Sequence, residues 1–136
     1  MSLKVKFRID FDDAHAVGPG KIALLERMRD CGSLSQAARE LDMSYRRAWQ
    51  LLDSLNTSFN EPVIVTSVGG KGGGGSEITK LGLALIDAYR ALEKDMTLRA
   101  QQCFRPLRSQ VAPTSHAKRQ ITKSARGKRV RGSRRP

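Results

Sequence analysis

Cysteines, aromatic residues and long apolar runs are all scarce in this chain, and each scarcity excludes a class of protein. The two cysteines, Cys31 and Cys103, lie too far apart for a metal-ligand cluster and are too few for a disulfide framework. Aromatic residues make up only 5% of the 136 residues, which limits the chain to a small core. No run approaches the ~18 consecutive apolar residues of a membrane span. Charges interrupt residues 1–12, so we expect no secretory signal, no membrane partner and a cytoplasmic location with reduced thiols.

Acidic residues are absent from the end of the chain. Residues 105–136 contain 11 Lys and Arg and no Asp or Glu, so they supply +11 of the formal net charge of +12. Large apolar residues are few there, and such a segment cannot bury enough surface to offset its ordering entropy. We predict a folded domain over residues 1–104 and a disordered basic tail over 105–136. Basic tails usually bind polyanions, here nucleic acid, although a tail that only improves solubility is the alternative.

The first third of the chain contains one strand pattern and one helix pattern. Apolar and charged residues alternate over residues 3–11, which predicts a half-buried strand. Gly and Pro at residues 18–20 end the extended segment, and apolar residues then recur at helical spacing. This spacing predicts a first helix over 19–31, ended by Gly32.

Residues 33–57 show the pattern of two further helices joined by a tight turn. Ser33 and Gln36 form a capping-box pattern at the start of a short second helix that runs to about Leu41. Ser44 is a suitable N-cap for a third helix. That helix is apolar on one face, at Ala48, Leu51, Leu52 and Leu55, and has Arg46, Gln50, Asp53 and Thr57 opposite, flanked by Tyr45, Arg47 and Trp49. The pattern predicts a helix-turn-helix, and the basic, aromatic outer face favours DNA over a chance helical hairpin.

A glycine-rich hairpin is predicted after the third helix. Strand patterns at 63–65 and 76–78 flank a glycine-rich tip that contains Lys71. Placed after a helix-turn-helix, this hairpin is typical of a wing, whose glycines bring backbone N–H groups close to a surface. A flexible linker is the alternative. A nucleotide-binding P-loop requires Ser or Thr directly after the lysine, and here Gly72 follows Lys71.

A long last helix is predicted over 80–104, with Thr79 as its N-cap. Its apolar residues recur at spacings of three, four and seven, interrupted at Arg99: Ile78, Leu81, Leu85, Ala88, Leu92, Met96 and Cys103. A narrow apolar stripe on a long helix has to pack against another surface. We expect a second copy of the same helix as the partner, with packing inside one chain as the alternative.

Three segments of the chain carry a family resemblance. Residues 32–38, residues 44–49 and the glycine-rich run around Lys71 resemble the N-terminal domain of ModE, the molybdate-responsive transcriptional regulators of bacteria. This domain is similar to the winged helix-turn-helix of LysR-type regulators. The resemblance implies a mainly α fold with a small β wing, and a homodimer joined largely through the first and last helices. It also implies that the third helix enters the major groove of double-stranded DNA.

The resemblance assigns DNA contacts by motif position. Ser33 and Ser35 would begin the supporting helix near the DNA backbone, and Lys71 would lie in the wing. The residues of the third helix that would contact DNA are Ser44, Tyr45, Arg46, Arg47, Trp49 and Gln50. Long side chains such as Arg46, Arg47 and Gln50 can reach guanine or adenine edges, whereas Lys71 and the serines would contact phosphate.

These observations predict a sequence-specific DNA-binding regulator. The alternative is an architectural protein that coats nucleic acid without sequence preference, which the basic tail alone favours. We expect no enzyme activity, metal or cofactor, because His15 and His116 stand far apart in predicted loop and tail.

ModE family members carry molybdate-binding modules after the DNA-binding domain, whereas here only the basic tail follows. Residues 124–126 resemble the start of such a module, but Gly127 replaces its Asn, so we expect this chain not to bind molybdate.

Overall fold

The computed structural model describes residues 3–67 and 75–114, and the described elements form a winged helix-turn-helix. One compact unit comprises Met1–Ala100, and a second begins at Gln101. The elements, in chain order, are β1 (Ile9–Asp10), β2 (Ala16–Val17), α1 (Pro19–Cys31), α2 (Leu34–Glu40), α3 (Tyr45–Ser58), β3 (Ile64–Ser67), β4 (Gly75–Ile78), α4 (Lys80–Phe104) and a 3-10 helix (Arg105–Gln110). In this part of the chain, no helix combines the length and apolarity needed to cross a membrane.

Helix α1 has the predicted bounds and forms the centre of the core. Pro19 occupies its first turn, and Gly32 ends it with a left-handed φ of 68°, a conformation that glycine adopts without steric cost. The Gly32 N–H donates to the Met28 carbonyl at 2.8 Å. Four apolar side chains of α1 are buried against α2, α3 and the hairpin: Ile22, Leu24, Leu25 and Met28.

Serines begin both helices of the helix-turn-helix. The Ser33 hydroxyl accepts from the Gln36 N–H at 3.2 Å, and the Ser44 hydroxyl accepts from the Arg47 N–H at 3.0 Å. The predicted capping box is therefore only half formed. The Gln36 side chain donates to Glu40 at 3.0 Å, one helical turn further on, and does not return to the start of α2. The small Ala37 and Ala38 are buried where α2 packs on α1 and α3.

The predicted N-terminal strand is much shorter in the structure. Half-buried and exposed residues alternate from Leu3 to Asp10 as predicted, but only Ile9–Asp10 pairs with Ala16–Val17. The ladder stops because α1 begins at Pro19, which leaves no further partner strand. Phe11 is 54% exposed and meets Phe59 edge-on, contrary to the half-buried position expected for it.

The β3–β4 hairpin is antiparallel and confirms the predicted wing strands. Ile64 pairs with Ile78 and Thr66 with Ser76. The predicted glycine-rich tip, with Lys71, lies outside the described residues. Residues 115–136 of the predicted tail also lie outside the described residues. The first residues of that tail form the 3-10 helix Arg105–Gln110.

Helix α4 has the predicted bounds, and Leu81 and Leu85 of its predicted stripe are partly buried against the core, as is Ile78 before it. Its buried residues are Gly82, Ile86 and Tyr89, whereas Ala88 and Leu92 of the predicted stripe are exposed. The physical reason is Gly82, which lets α4 approach β3 so closely that an added Cβ would lie 2.5 Å from the Val63 carbonyl oxygen. The approach turns the next residues of that face, Ile86 and Tyr89, into the core. Thr79 caps α4 as predicted, since its hydroxyl accepts from the Gly82 N–H at 3.1 Å.

Candidate nucleic-acid interface

The outer face of α3 is exposed to solvent. Ala48, Leu52 and Leu55 are buried against α1 and α2, which fixes the rotation of α3 about its axis. This rotation leaves the opposite face of the helix in solvent. The exposed residues at its N-terminal end are those predicted to contact DNA: Ser44, Tyr45, Arg46, Arg47, Trp49 and Gln50.

The exposed face of α3 is positively charged and aromatic. Arg46, Arg47 and Gln50 make no side-chain hydrogen bond or ion pair with the residues that the structure describes, and the first turn contains no acidic residue. Tyr45 and Trp49 are 56% and 51% exposed, although large aromatic side chains are normally buried. Exposed aromatic and guanidinium groups on one helix face are typical of a surface that binds a partner.

The predicted phosphate contacts are arranged beside this face. Ser33 and Ser44 accept backbone N–H groups through their hydroxyl oxygens, which leaves each hydroxyl proton able to donate outward. Ser35 is exposed in the first turn of α2. Lys71 cannot be placed, because it lies between the described ranges 3–67 and 75–114.

Asn56 connects α3 to the hairpin, and the sequence analysis did not single it out. Its side-chain oxygen accepts from the Val63 N–H at 2.8 Å and from the Ile64 N–H at 3.3 Å, and its amide donates to the Ile64 carbonyl at 3.3 Å. The amide therefore replaces a missing strand partner for β3. The signal in the sequence that could have identified Asn56 is its polar amide directly after Leu55, a residue of the apolar face of α3.

An ion-pair cluster joins α1 to α4 and was also not anticipated. The Arg90 guanidinium donates to both carboxylate oxygens of Glu26, at 2.6 and 2.9 Å, and to Glu93 at 2.8 Å. The hydrogen bond from Arg90 is the main reason why the pKa of Glu26 is lowered, and the hydrogen bond to Glu26 is the main reason why the pKa of Arg90 is raised. This cluster has no part in the exposed face of α3 and serves to hold two helices together.

Comparison with known proteins gives several similar sequences. Over 92 residues the chain is 37% identical to the transcriptional regulator ModE of Yersinia pestis, which covers 68% of this chain and 33% of that protein. Over 88 residues it is 36% identical to the molybdenum transport protein ModE of Azotobacter vinelandii, covering 65% of this chain and 33% of that protein. The predicted resemblance to ModE is confirmed. The chain spans about a third of the length of these ModE proteins.

A further similar sequence carries a different name. The chain is 42% identical over 77 residues to the molybdenum-pterin-binding protein MopB of Rhodobacter capsulatus, covering 57% of this chain and 28% of MopB. No protein-family model matches the chain. The ModE likeness is therefore a matter of individual relatives, each over part of its length.

Solved structures support the fold independently of sequence. The crystal structure of MepR, a transcription regulator of the Staphylococcus aureus multidrug efflux pump MepA, matches with a TM-score of 0.50 at 16% identity. The match covers 87% of this chain and 81% of that MepR chain. At this identity the likeness shows a shared winged-helix fold, and it confirms the predicted fold class.

Proposed function

We propose that the chain is a sequence-specific DNA-binding transcriptional regulator of molybdenum-related genes. The observation that carries the proposal is the exposed face of α3, where Arg46, Arg47 and Gln50, which pair with none of the described residues, stand beside exposed Tyr45 and Trp49. An α-helix fits the major groove of B-DNA, and Arg and Gln side chains recognise guanine and adenine edges there. The names of the ModE relatives support the regulatory role and the connection with molybdenum.

The proposed contacts divide into two chemical groups. Arg46, Arg47 and Gln50 bind base edges, and Tyr45 and Trp49 contact the DNA next to them. Backbone phosphates are bound by hydroxyl and ammonium groups, which fix register without recognising sequence: Ser33, Ser35, Ser44 and Lys71. This division predicts which substitutions change specificity and which change affinity alone.

The proposed regulator acts as a homodimer. Ala88 and Leu92 of the predicted stripe of α4, which lie one turn apart on the same face, are exposed and offer apolar surface to a second copy. The contribution of α1 to the contact is inferred from the ModE resemblance alone. A symmetric dimer binds two half-sites about one helical turn apart, so the operator should be palindromic.

The chain is further proposed to act in the cytoplasm, to have no catalytic activity and to bind no molybdate itself. Titration with molybdate, followed by calorimetry, checks the prediction on molybdate directly. Measurable heat of binding would contradict it.

The proposal is tested by sequencing DNA selected by the protein from a random duplex pool. We expect a palindromic consensus, whereas a non-specific coating protein would return none. Arg46→Ala should relax preference at one position of each half-site, because a good base contact contributes ~1–3 kcal/mol of discrimination.

Arg8→Ala is the matched control for the loss of one positive charge. Arg8 is exposed, pairs with Asp10 at 2.7 Å and lies on the segment before α1, outside the predicted DNA contacts. We expect Arg8→Ala to keep the wild-type consensus. If Arg46→Ala selected the same consensus with the same stringency, the assignment of α3 as the base-contacting helix would be wrong.

A further inference from the structure

A cleft of about 270 Å³ opens beside the exposed face of α3. Tyr45 and Trp49 line it from α3, and Thr66 and Ser76 line it from the base of the hairpin. Ser33 and Ser35 complete it from the start of α2. The cleft therefore combines two aromatic rings with the phenolic hydroxyl of Tyr45 and four aliphatic hydroxyl groups.

The pairing register of the hairpin explains why Thr66 and Ser76 point to the cleft. They pair across the two strands, two residues along from the pair Ile64 and Ile78. Side chains two residues apart on a strand lie on the same face of the sheet, so all four share one face. Ile64 and Ile78 pack on the core, and Thr66 and Ser76 extend the same face outward.

The opposite face of the hairpin holds the neighbouring pair, Val65 and Glu77. The carboxylate of Glu77 is thus directed away from the cleft, and no acidic residue is among those that line it. A surface with hydroxyl donors and without carboxylates does not repel a phosphate anion.

Two sets of hydrogen bonds hold the walls of the cleft in place. The Ser76 N–H donates to the Gly32 carbonyl at 2.9 Å, which joins β4 to the turn before α2. Asn56 joins α3 to the start of β3. The cleft is consequently formed before any ligand arrives, and binding there requires little ordering of the protein.

The size of the cleft restricts its occupant. Pockets for whole small-molecule ligands usually measure ~300–1,000 Å³ and enclose most of the ligand, whereas this cleft is smaller and open to solvent. A single sugar-phosphate group of a longer chain suits it better. Deoxyribose offers an apolar face for an aromatic ring, and phosphate oxygens accept hydrogen bonds from hydroxyl groups.

We propose that this cleft binds one deoxyribose-phosphate group of the DNA backbone beside the groove that α3 enters. The Thr66 and Ser76 hydroxyls donate to the phosphate, and Trp49 packs against the sugar. The proposal rests on the proposed DNA-binding function and adds Thr66 and Ser76 to the residues that position the duplex.

The first test compares two near-isosteric substitutions on adjacent residues of β3. Thr66→Val removes the hydroxyl that faces the cleft, and Val65→Thr adds a hydroxyl to the opposite face. Affinity for a selected operator should fall about tenfold in Thr66→Val, since a hydrogen bond to a charged group is lost, and should not change in Val65→Thr. Ser76→Ala should reproduce the loss. Equal urea midpoints in all variants would show that folding is unaffected.

The second test locates the phosphate. Operators are prepared with one neutral methylphosphonate at successive positions along each strand. At one position in each half-site, the wild type should lose affinity and should then bind no better than Thr66→Val. Trp49, the single tryptophan of the chain, should change its fluorescence when the operator binds.

The outcomes separate this proposal from the function on which it rests. If the wild type selected a consensus but Thr66→Val and Ser76→Ala bound as tightly as the wild type, the cleft proposal would be overturned and DNA recognition by α3 would stand. Absence of any selected consensus would overturn both. Saturable quenching of Trp49 by inorganic phosphate at millimolar concentration, without DNA, would assign the cleft to a free oxyanion and also overturn the proposal.

Discussion

Gly82 is the residue at which α4 comes closest to the hairpin. A methyl group there would lie 2.5 Å from the Val63 carbonyl oxygen and 2.6 Å from the Ile78 side chain, so α4 would have to move. We expect Gly82→Ala to lower the free energy of unfolding by roughly 1–3 kcal/mol, the usual effect of overpacking. Urea denaturation followed by circular dichroism measures the change.

Gly20→Ala is the control for this substitution. Gly20 is also in a helix, and a Cβ added there meets no atom within 4 Å. Alanine at such a position is expected to be neutral or to stabilise by about 0.4–1 kcal/mol, because it restricts the unfolded chain. If both substitutions had the same effect, the close approach of α4 to the hairpin would not be the cause.

Glu26 makes stability sensitive to acid. Arg90 holds the pKa of Glu26 below its ordinary value of 4.5, so the unfolded chain binds a proton more readily than the folded one. The stabilisation is therefore complete above pH 4.5 and is lost as the pH falls through the lowered pKa. Glu26→Gln should lower stability by less than about 1 kcal/mol at neutral pH, since the pair is partly exposed, and should weaken the acid dependence.

Denaturation midpoints measured between pH 3 and pH 7 test this prediction. Asp13→Asn is the control, because Asp13 is an exposed carboxylate in the turn between β1 and β2. Parallel pH profiles for the wild type and Glu26→Gln would show that the ion pair does not contribute.

At the scale of elements, Asn56 holds the start of the wing on α3. Asn56→Ala removes three hydrogen bonds and leaves the Val63 and Ile64 N–H groups without their side-chain acceptor. We expect a loss of roughly 1–3 kcal/mol and faster hydrogen exchange at these two amides. Thr57→Ala is the matched control, since the Thr57 hydroxyl bonds only carbonyls of its own helix. Unchanged exchange at Val63 and Ile64 in Asn56→Ala would contradict the prediction.

The elements differ in how far the sequence could predict them. Helices α1, α3 and α4 carry strong periodicity and recognisable caps, and their limits were predicted closely. The exposed residues of α3 were predicted because the apolar positions of a helix determine its opposite face. The N-terminal strand was overestimated, since alternation records burial but not whether a partner strand is available.

The contacts that the sequence did not reveal are those between distant residues. Tyr89 donates to the Phe7 carbonyl at 2.6 Å and stacks on the Phe7 ring, with centroids 4.3 Å apart. Tyr89 and Ile86 are not in the predicted stripe of α4. A small rotation of a helix about its axis changes which of its residues are buried, so the spacing of apolar residues alone did not identify these two. The Thr66–Ser76 pair also depended on the hairpin register, which a glycine-rich connection does not specify.

For the whole molecule, the concentration of basic residues at the end of the chain predicts how the affinity for DNA depends on salt. Residues 105–136 carry 11 basic residues, and each phosphate that they neutralise steepens the plot of log affinity against log salt by about 0.9. Removing them should flatten this slope by several units and leave the consensus unchanged. A chain with residues 105–136 in scrambled order is the matched control and should keep the wild-type slope, because charge alone acts. An unchanged slope after removal would mean that these residues do not contact DNA, and an altered consensus would mean that they contribute to sequence recognition.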